Sequence, residues 1–361
     1  MKIIIFAGGF GTRMWPASRK KLPKQFFPIL GGKSFFQLTL KRFRKGFPYR
    51  DIYVSTEERY VNLVLKQAPS LPPQNVISEP ERRDLMGAVG LVTATIEKRH
   101  PGSVMFFSWS DHFIRDEAVF IKAVKEAGKY TKSTGRPVSI DEVPTFASVH
   151  HGWLKLGKKV HEDGDYKFLE IQKHIEKPNS YTAKRLFRSD KYLLHTGYGA
   201  WRSDVLLGYY KEYASETYNR LVAMMSAMGK KSEREVLKRE YGKIEKISVE
   251  FGLFEKIPAK TRLTIPVNTG WSDLGTWQLF YEAFADHTNG RSFVDGANYT
   301  FIDSSGNLVL GQKEKMVSIV GVSDIVVIDT RDGLLITSLS KSALVRDLYK
   351  SLERDHPKYV D

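Results

Sequence analysis

The chain has 361 residues, of which 42% are hydrophobic, and its 56 lysines and arginines against 41 aspartates and glutamates give a formal net charge of +15. This length allows one large α/β domain with a smaller companion. The sequence has no uninterrupted apolar run of transmembrane length, so we expect a cytoplasmic protein without a membrane partner. The lack of cysteine excludes disulfides and thiolate zinc sites. Because the basic residues are scattered, we expect no nucleic-acid partner; they indicate a solvated surface or a field that attracts phosphorylated substrates.

Strand-like and helix-like patterns alternate along the first part of the chain, which predicts an α/β fold with a mostly parallel sheet and helices on both faces. The predicted strands are residues 2–6, 51–56, 75–80 and 103–108, and the predicted helices are residues 34–43, 57–67 and 86–97. In such sheets ligands bind at the carboxyl ends of the strands. The residues that follow the strands, Gly8 to Arg13, Glu79 and Asp111, are therefore expected to face one crevice.

The middle of the chain is less regular, and the last part is rich in short strands. We predict strands at residues 143–156, 168–176 and 192–200, helices at 180–187 and 205–228, and an exposed helix or connection in the charged segment 230–246. A composition shift at residues 286–291 separates a large domain, residues 1–288, from a small one, residues 289–361. The small domain has β-like runs at residues 299–302, 307–310, 317–320, 324–329 and 334–337 and a terminal helix at 341–354. This spacing predicts a small β-solenoid or sandwich, and its apolar run 324–336 offers a surface for a homodimer.

A glycine-rich loop follows the first strand. Gly8, Gly9 and Gly11 let the backbone turn so that its N–H groups can point at anionic oxygens, and Arg13 and Lys24 add positive charge. The same glycines could instead serve a plain strand-to-helix turn. They match neither G-x-x-x-x-G-K-[ST] nor G-x-G-x-x-G, which disfavours an ATPase or a dehydrogenase with those fingerprints.

The loop and the basic run after it resemble a known signature. The run Gly8-Gly-Phe-Gly-Thr-Arg-Met-Trp-Pro-Ala-Ser-Arg-Lys-Lys-Leu-Pro-Lys-Gln-Phe26 resembles that of sugar-nucleotide pyrophosphorylases, and most closely that of mannose-1-phosphate guanylyltransferases. The resemblance implies a Rossmann-like, GT-A-like nucleotidyltransferase domain over residues 1–288 and a β-helix-like domain over residues 289–361. It also implies that a sugar 1-phosphate attacks the α-phosphorus of GTP and expels pyrophosphate, which yields GDP-mannose when the sugar is mannose. The implied nucleotide-binding residues are Ala7, Gly8, Gly9, Gly11, Thr12, Arg13 and Lys24.

Three acidic residues stand in motifs of the same family. Asp111 in Trp109-Ser-Asp-His112 resembles the family's "PSDH", and Asp273 in Gly270-Trp-Ser-Asp273 resembles "GWSD". Together they are expected to hold Mg²⁺, which takes one or two protein carboxylates and fills its shell with phosphates and water. Glu79 resembles the glutamate of "EPxxRNTAP". Its carboxylate can accept hydrogen bonds from N1–H and the 2-amino group of guanine, so we expect it to select the base; the alternative is a loop acid paired with Arg82 or Arg83.

The sugar side matches the family less well. His174-Ile-Glu-Lys-Pro178 resembles "FVEKP", which implies that Lys177 binds the sugar phosphate and Glu176 the sugar hydroxyls. Gly152 and His195 stand where the family has "ETGYGYI" and "NSG", and we expect both to contact the sugar phosphate. The expected catalytic residues are Arg13, Lys24, Asp111, Lys177 and Asp273.

These departures leave three interpretations open. The chain is a guanylyltransferase for mannose 1-phosphate, a guanylyltransferase for another sugar 1-phosphate such as a heptose, or a non-catalytic homologue that binds a nucleotide sugar and regulates a partner subunit. The adjacent His150 and His151 are poor candidates for a metal site, because neighbouring residues of a strand point to opposite faces. We expect one exposed and one buried imidazole.

Overall fold

The structure is a computed structural model that describes residues 1–9, 11–285 and 292–361, so the composition shift at 286–291 and the domain boundary at 288/289 lie outside the described residues. Its strands are β1 (Lys2–Phe6), β2 (Pro28–Leu30), β3 (Lys33–Ser34), β4 (Ile52–Glu57), β5 (Val76–Glu79), β6 (Val104–Trp109), β7 (Val138–Glu142), β8 (Trp153–Asp163), β9 (Tyr166–Ile175), β10 (Tyr192–Leu194), β11 (Gly199–Arg202), β12 (Leu263–Val267), β13 (Phe293–Asp295), β14 (Asn298–Ile302), β15 (Leu308–Leu310), β16 (Met316–Val320), β17 (Ile325–Asp329) and β18 (Leu334–Ser338). Its helices are α1 (Phe35–Arg44), α2 (Val61–Gln67), α3 (Asp84–Arg99), α4 (Glu117–Thr134), α5 (Ser180–Phe187), α6 (Ser203–Tyr213), α7 (Ser215–Ala227), α8 (Glu233–Tyr241), α9 (Trp277–Phe284) and α10 (Val345–Asp355). Within the described ranges, none of these helices is long and apolar enough to cross a membrane.

The chain divides into two compact units. Unit 1 contains Met1–Gly8, Arg42–Trp109 and Ile114–Trp271. Unit 2 contains Gly9–Lys41, Ser110–Phe113 and Ser272–Asp361. The basic part of the glycine-rich loop therefore belongs to the same unit as the C-terminal strands, although it lies near the other end of the sequence.

Unit 1 is built on one ten-stranded sheet with the order β10-β8-β9-β12-β7-β11-β6-β1-β4-β5. Strands β5, β4, β1 and β6 pair in parallel. Ile3, Ile4 and Ile5 of β1 are fully buried, as expected for an apolar strand covered on both faces. Helix α3 is buried continuously from Met86 to Ile96. The predicted α/β fold class is confirmed, and the parallel strands bring the ends of β4 and β5 side by side.

Antiparallel strands complete the other half of this sheet. Strands β8 and β9 form a long antiparallel pair, and β11 runs antiparallel to both β6 and β7. The predicted strand 143–156 is wrong over much of its length, because β7 ends at Glu142 and Pro144 has no N–H group to donate to a ladder. In the resulting loop His150 is exposed and His151 is buried, as expected, although neither lies on a strand.

Two predicted helices differ from the structure. Residues 205–228 form two helices rather than one, because Ala214 adopts φ −148° and ψ 54° between α6 and α7. The charged segment 230–246 contains α8, but the expectation of an exposed helix is wrong at its C-terminal end. Tyr241 is fully buried and packs in the same hydrophobic core as Met86 and Tyr210. This helix therefore sends the Tyr241 side chain into the interior of unit 1.

Unit 2 contains the predicted β-solenoid. Strands β13, β15 and β17 pair in parallel, and so do β14 and β16. The partners Phe293 and Leu308 are 15 residues apart, whereas Leu308 and Val326 are 18 apart, so successive coils have similar lengths. Asn307 is fully buried and its side chain bonds to the backbone of Val322 and Ile325 in the next coil. The β-helix-like domain predicted from the resemblance is confirmed.

The basic loop packs into the core of unit 2. Met14 and Trp15 share a hydrophobic cluster with Leu308 and Trp277. The indole Nε1 of Trp15 donates a hydrogen bond to the carbonyl of Tyr359 at 2.9 Å, and that of Trp277 donates to the carbonyl of Trp15 at 3.1 Å. These contacts fix the loop by its apolar residues and leave its charged residues for other partners.

Candidate functional site

The glycine-rich loop of unit 2 is shaped around Lys24. Gly9 has φ +89° and Gly11 has φ +61°, a left-handed conformation that favours glycine. A Cβ atom on Gly11 would lie 2.6 Å from Cγ of Lys24, so a larger residue would displace the lysine stem. The backbone N–H of Lys24 donates to Ser18 Oγ at 3.1 Å. Thr12 opens a short 3₁₀ helix, Thr12–Met14, directly after the turn.

Two predicted carboxylates lie beside the predicted cations of this loop. Lys24 Nζ is 2.6 Å from Oδ2 of Asp111, and both side chains are largely buried. A Cβ atom on Gly275 would lie 3.1 Å from both Arg13 Nη2 and Asp273 Oδ2, which places those two side chains next to each other. Unit 2 therefore brings together two cation–carboxylate neighbours that are distant in the sequence.

A short antiparallel bridge joins the two segments that carry the aspartates. The N–H of Phe113 donates to the carbonyl of Ser272 at 2.8 Å, and the N–H of Ser272 donates back at 3.1 Å. Continuing this register puts Asp273 opposite residue 112, one position from Asp111. The Oδ1 atom of Asp273 also accepts from the N–H of Gly275 at 3.0 Å, a local turn that fixes its direction.

The two aspartates offer a donor set for a metal ion. No group of three or more His, Cys, Asp or Glu side chains that could hold a metal occurs in residues 1–9, 11–285 and 292–361. Magnesium does not require such a group, since it commonly takes one or two carboxylates and completes an octahedron with phosphates and water. Asp111 and Asp273, brought together by the bridge, fit that donor set.

The predicted base-selecting residue, Glu79, ends strand β5 in unit 1. It is buried, and the hydroxyl of Tyr241 donates to its Oε2 atom at 2.6 Å. Burial raises the pKa of Glu79 to about 7, and the Tyr241 hydrogen bond opposes that rise. In the ion pairs of the described residues Arg83 binds Glu81 at 2.9 Å instead of Glu79. The carboxylate is therefore held inside the unit rather than on a surface loop.

The four residues predicted for the sugar phosphate lie close together in unit 1. The Nζ atom of Lys177 is 2.9 Å from Oε1 of Glu176, and the N–H of His195 donates to the carbonyl of Gly152 at 2.8 Å. A Cβ atom on Gly152 would lie 2.4 Å from His174 Nε2 and 3.0 Å from Glu176 Oε2. Lys177 has φ +38°, a strained conformation for a residue with a side chain. Strain of this kind is often found at ligand sites.

A buried Asp141–His195 pair supports this group, and sequence reasoning missed the aspartate. Asp141 is fully buried and its Oδ1 atom lies 2.8 Å from His195 Nδ1, while Thr264 Oγ1 donates to Oδ2 at 2.6 Å. Burial, the largest single effect, would raise the pKa of Asp141 and lower that of His195. The charge of the partner and the hydrogen bonds together outweigh it, so the pKa of Asp141 is lowered and that of His195 is raised. Both pKa shifts favour the charged forms, a carboxylate on Asp141 and an imidazolium on His195.

A cavity of unit 1 opens beside that pair. His174, His195, Glu250 and Arg262 line it together with apolar side chains. Burial, with the His195 charge, lowers the pKa of His174 to about 4, so His174 is neutral at pH 7. The Nε atom of Arg262 is buried and has no hydrogen-bond partner within the part of the chain that the structure describes. The cavity therefore presents hydrogen-bond donors to a polar ligand.

Two more residues of this unit escaped the sequence analysis. Glu57 ends strand β4 and is the register partner of Glu79 at the end of β5. The sequence offered a signal for Glu57, because this acidic residue directly follows the predicted strand 51–56, much as Glu79 lies at the end of the predicted strand 75–80. Tyr241 gave no signal, because its role depends on a contact across 162 residues. Ala7 and Gly8 belong to unit 1, where the N–H of Ala7 donates to the carbonyl of Ser55 at 2.8 Å.

Comparison with known proteins agrees with this architecture. Residues 2–290 match the family described as nucleotidyl transferase, and residues 297–352 match the MannoseP isomerase/GMP-like beta-helix domain. The mannose-1-phosphate guanylyltransferase of Salmonella montevideo is 28% identical over 97% of this chain and 73% of its own length. That of Escherichia coli (strain K12) is 27% identical over 98% of this chain and 73% of its own.

A solved structure supports the fold. The crystal structure described as mannose-1-phosphate geranyltransferase from Thermus thermophilus has a TM-score of 0.86 and covers 98% of this chain and 99% of that chain at 24% identity. The family model covers most of the sequence, including the loop, both aspartates and Glu79. The chain therefore belongs to the nucleotidyl transferase family, and the enzyme class predicted from its sequence, a nucleotidyltransferase, is confirmed.

Proposed function

We propose that the chain transfers GMP from GTP to mannose 1-phosphate, with release of pyrophosphate and formation of GDP-mannose. The observation that carries the proposal is the grouping of Arg13 and Lys24 with Asp111 and Asp273 beside the glycine turns of unit 2. The relatives named mannose-1-phosphate guanylyltransferase, which match nearly the whole chain, support the choice of both substrates.

In this proposal the loop binds the triphosphate of GTP. Backbone N–H groups at Gly9 and Gly11 point at phosphate oxygens, Lys24 acts as a point charge and Arg13 as a two-pronged clamp. The ion pair between Lys24 and Asp111 holds the ammonium group in place before the nucleotide arrives. Mg²⁺, when held by Asp111 and Asp273, supplies charge neutralisation on the phosphates.

The reaction itself needs little bond-making help from the protein. A phosphate oxygen of the sugar 1-phosphate attacks the α-phosphorus; the new P–O bond forms as the bond to the bridging oxygen breaks, and pyrophosphate leaves with that electron pair. The attacking phosphate is already an anion, so no general base is required. The task of Lys177 is to hold that phosphate in line and to offset its charge.

Recognition of the base is assigned to Glu79. A carboxylate accepts two neighbouring hydrogen bonds from N1–H and the 2-amino group of guanine, a pair of donors that adenine, cytosine and uracil lack. The short hydrogen bond from Tyr241 fixes the direction of the carboxylate. GTP is therefore the nucleotide that the site supports best.

A second candidate is guanylyl transfer to a different sugar 1-phosphate. It is favoured by the cavity beside the Asp141–His195 pair, where His174 stands at the position of the phenylalanine in the family's "FVEKP". Both candidates share the phosphate chemistry and differ only in the sugar that fits this cavity.

The test is a pyrophosphate-release assay with Mg²⁺ over a matrix of nucleoside triphosphates and sugar 1-phosphates. We expect the highest kcat/KM with GTP and mannose 1-phosphate. Turnover of GTP with another sugar 1-phosphate alone would favour the second candidate. Turnover with UTP or dTTP but not GTP would refute the role of Glu79, and no turnover with any pair would refute the proposal.

We also propose a homodimer that uses the predicted surface at residues 324–336. Leu334 and Ile336 of β18 are 57% and 63% exposed, an unusual position for two large apolar side chains on one strand. Sedimentation equilibrium of the purified chain tests this assignment. We expect a dimer that dissociates in the double variant Leu334→Lys, Ile336→Lys.

A further inference from the structure

Two buried glutamates lie side by side at one edge of the sheet of unit 1. Glu57 is the last residue of β4, Glu79 is the last residue of β5, and the two are register partners in the parallel ladder. Their exposed fractions are 7% and 6%. Ligands of open parallel sheets bind at the carboxyl ends of the strands, so this is a place where a carboxylate pair is available to a ligand.

Within the part of the chain that the structure describes, each carboxylate has one oxygen in a short hydrogen bond, while its other oxygen has a weak hydrogen bond or none. Arg59 donates to Oε2 of Glu57 at 2.5 Å, and Tyr241 donates to Oε2 of Glu79 at 2.6 Å. The Oε1 atom of Glu57 is buried without a hydrogen-bond partner among residues 1–9, 11–285 and 292–361. In the described ranges the Oε1 atom of Glu79 accepts from Ser55 Oγ at 3.5 Å, which is the outer limit of a hydrogen bond.

Such an arrangement is unfavourable without a ligand. A buried acceptor without a donor is rare in proteins and calls for a physical explanation, such as a bound ligand, water or ion, a catalytic role or stored strain. Burial raises the pKa of Glu79 to about 7, and the neighbouring Glu57 charge adds to that rise. Burial and the charge of the neighbouring glutamate both disfavour the ionised carboxylates. Hydrogen-bond donors from a ligand would stabilise them. A ligand that presents lone pairs to the same oxygens is repelled.

The nucleobases differ in how many polar hydrogens they can offer to neighbouring acceptors. Guanine offers three around N1 and the 2-amino group: N1–H and one amino hydrogen on the Watson–Crick edge, and a second amino hydrogen that points toward the N3 side. Adenine and cytosine each offer the two hydrogens of one amino group, and uracil offers one. Two adjacent carboxylates with vacant acceptor positions match the base with the most donors.

We propose that Glu57 is a second residue that selects guanine: its Oε1 atom accepts one hydrogen of the 2-amino group, while Glu79 accepts the other and N1–H. This inference rests on the proposed function, because it assumes that GTP is the nucleotide. It adds a specificity residue on a different strand, and both glutamates then accept a hydrogen bond from the 2-amino group of guanine. Arg59 is then a positioning residue that directs Glu57 through its other oxygen.

Inosine triphosphate separates the two glutamates, because hypoxanthine keeps N1–H and lacks the 2-amino group. The experiment measures kcat/KM for GTP and for ITP, at saturating sugar 1-phosphate, in the wild type and in Glu57→Gln and Glu57→Leu. The wild type should prefer GTP. In Glu57→Leu the GTP-to-ITP ratio should fall about tenfold, through a higher KM for GTP, with kcat/KM for ITP changed less than about twofold. Glu57→Gln, which keeps a carbonyl acceptor and the shape of the residue, should show a smaller fall.

The matched control is the next residue. The Glu58 side chain is 54% exposed and binds Arg234 at 3.0 Å. Glu58→Gln and Glu58→Leu should leave the GTP-to-ITP ratio unchanged, which separates loss of a base contact from a change in local charge. If Glu57→Leu does not fold, Glu57→Gln alone carries the comparison.

The outcomes distinguish this inference from the proposed function. A wild type that uses GTP and prefers it to ITP, with the ratio unchanged in both Glu57 variants, would overturn the role of Glu57 and leave the proposed function standing. Equal use of GTP and ITP by the wild type would overturn it as well. No turnover of GTP by the wild type would refute both proposals.

Discussion

Replacing Tyr241 by phenylalanine removes one hydroxyl and should change the pH dependence of GTP use. In the wild type this hydroxyl donates to the buried carboxylate of Glu79 at 2.6 Å, and the bond lowers a pKa that burial has raised to about 7. Without it the carboxylate keeps the same burial and loses its shortest hydrogen bond. The pKa of Glu79 should therefore rise further.

The size of the effect follows from the chemistry of the bond. A hydrogen bond to a charged group contributes about 1.5–3 kcal/mol, and about 1.4 kcal/mol corresponds to one pKa unit. Since Glu79 is only 6% exposed, solvent screening does not reduce this figure much. Only the ionised carboxylate can accept hydrogen bonds from guanine at both oxygens. The acid limb of the kcat/KM profile for GTP should therefore move up by about one to two pH units.

The assay measures kcat/KM for GTP and for UTP between pH 5.5 and 9.5. The ratio of the two cancels the ionisation of the triphosphate, which both nucleotides share. Tyr210→Phe is the matched control, because Tyr210 is also fully buried but donates to the carbonyl of Met86 at 3.0 Å. It should lower the unfolding free energy slightly and leave the profile in place. A profile for Tyr241→Phe that coincides with the wild type would refute the coupling between Tyr241 and Glu79.

The same pKa predicts how stability depends on pH. The folded pKa of about 7 lies above the ordinary value of 4.5, so between these pH values the native state holds a proton that the unfolded state has lost. The unfolding free energy should therefore fall as pH rises through this window, by on the order of 3 kcal/mol for this group alone. Urea denaturation of the variant at pH 6 and pH 8 should show a larger fall above pH 7 than the wild type does.

Three further substitutions test other parts of the molecule. Asp273→Asn should reduce kcat/KM, measured by pyrophosphate release, by about a hundredfold or more. It should change the unfolding free energy, measured by thermal melting, by less than about 1 kcal/mol, because the amide oxygen can still accept a hydrogen bond from Gly275. Gly11→Ala should lower the unfolding free energy by about 1–3 kcal/mol and raise KM for GTP, because φ is +61° and the new methyl group displaces Lys24. Asp141→Asn should lower the unfolding free energy by about 3–5 kcal/mol and drop the pKa of His195, which denaturation and an NMR titration of the imidazole would show.

The pKa shifts of Asp141 and His195 set the pH range in which Asp141→Asn lowers stability most. Because the folded pKa of His195 is raised, this group stabilises the fold fully below pH 6.5, and that stabilisation is lost as pH rises through the folded pKa. Because the folded pKa of Asp141 is lowered, this group stabilises the fold above pH 3.8. The gap between the wild type and Asp141→Asn should therefore be largest between about pH 4 and 6.5. A gap that does not change between pH 5 and 9 would contradict this account.

Matched controls exist for these substitutions. Gly229 has φ +80° with no atom near its missing Cβ, so Gly229→Ala carries the same backbone strain but should leave KM for GTP unchanged. Asp332 of unit 2 binds Arg19 on the surface, so Asp332→Asn should keep full activity. Asp163 is exposed and binds Lys129, and Asp163→Asn should have little effect on unfolding. Equal effects of a control and its partner would show that the proposed contacts are not the cause.

Much of the fold could be read from local sequence patterns. An apolar run such as Ile3 to Ile5 predicts a buried strand because it has no polar side to expose, and the evenly spaced runs after residue 292 predict the coils of the C-terminal domain. The signature from Gly8 to Phe26 indicated the family, because its residues are contiguous in the sequence and form a recognisable pattern before any tertiary contact is known. Local pattern failed at Pro144 and Ala214, where a single residue interrupts an otherwise regular run.

The sequence by itself therefore determined the fold class, the family and the residues of the loop, since each depends on neighbours along the chain. Only the tertiary structure decided which side chains meet: Lys24 with Asp111, His195 with Asp141, and Tyr241 with Glu79. These partners are brought together by the packing of strands and helices far apart in sequence. Their burial also sets their pKa values, because desolvation and hydrogen bonding depend on everything that surrounds a group. For that reason the carboxylate pair of Glu57 and Glu79 appears only when β4 and β5 are laid side by side.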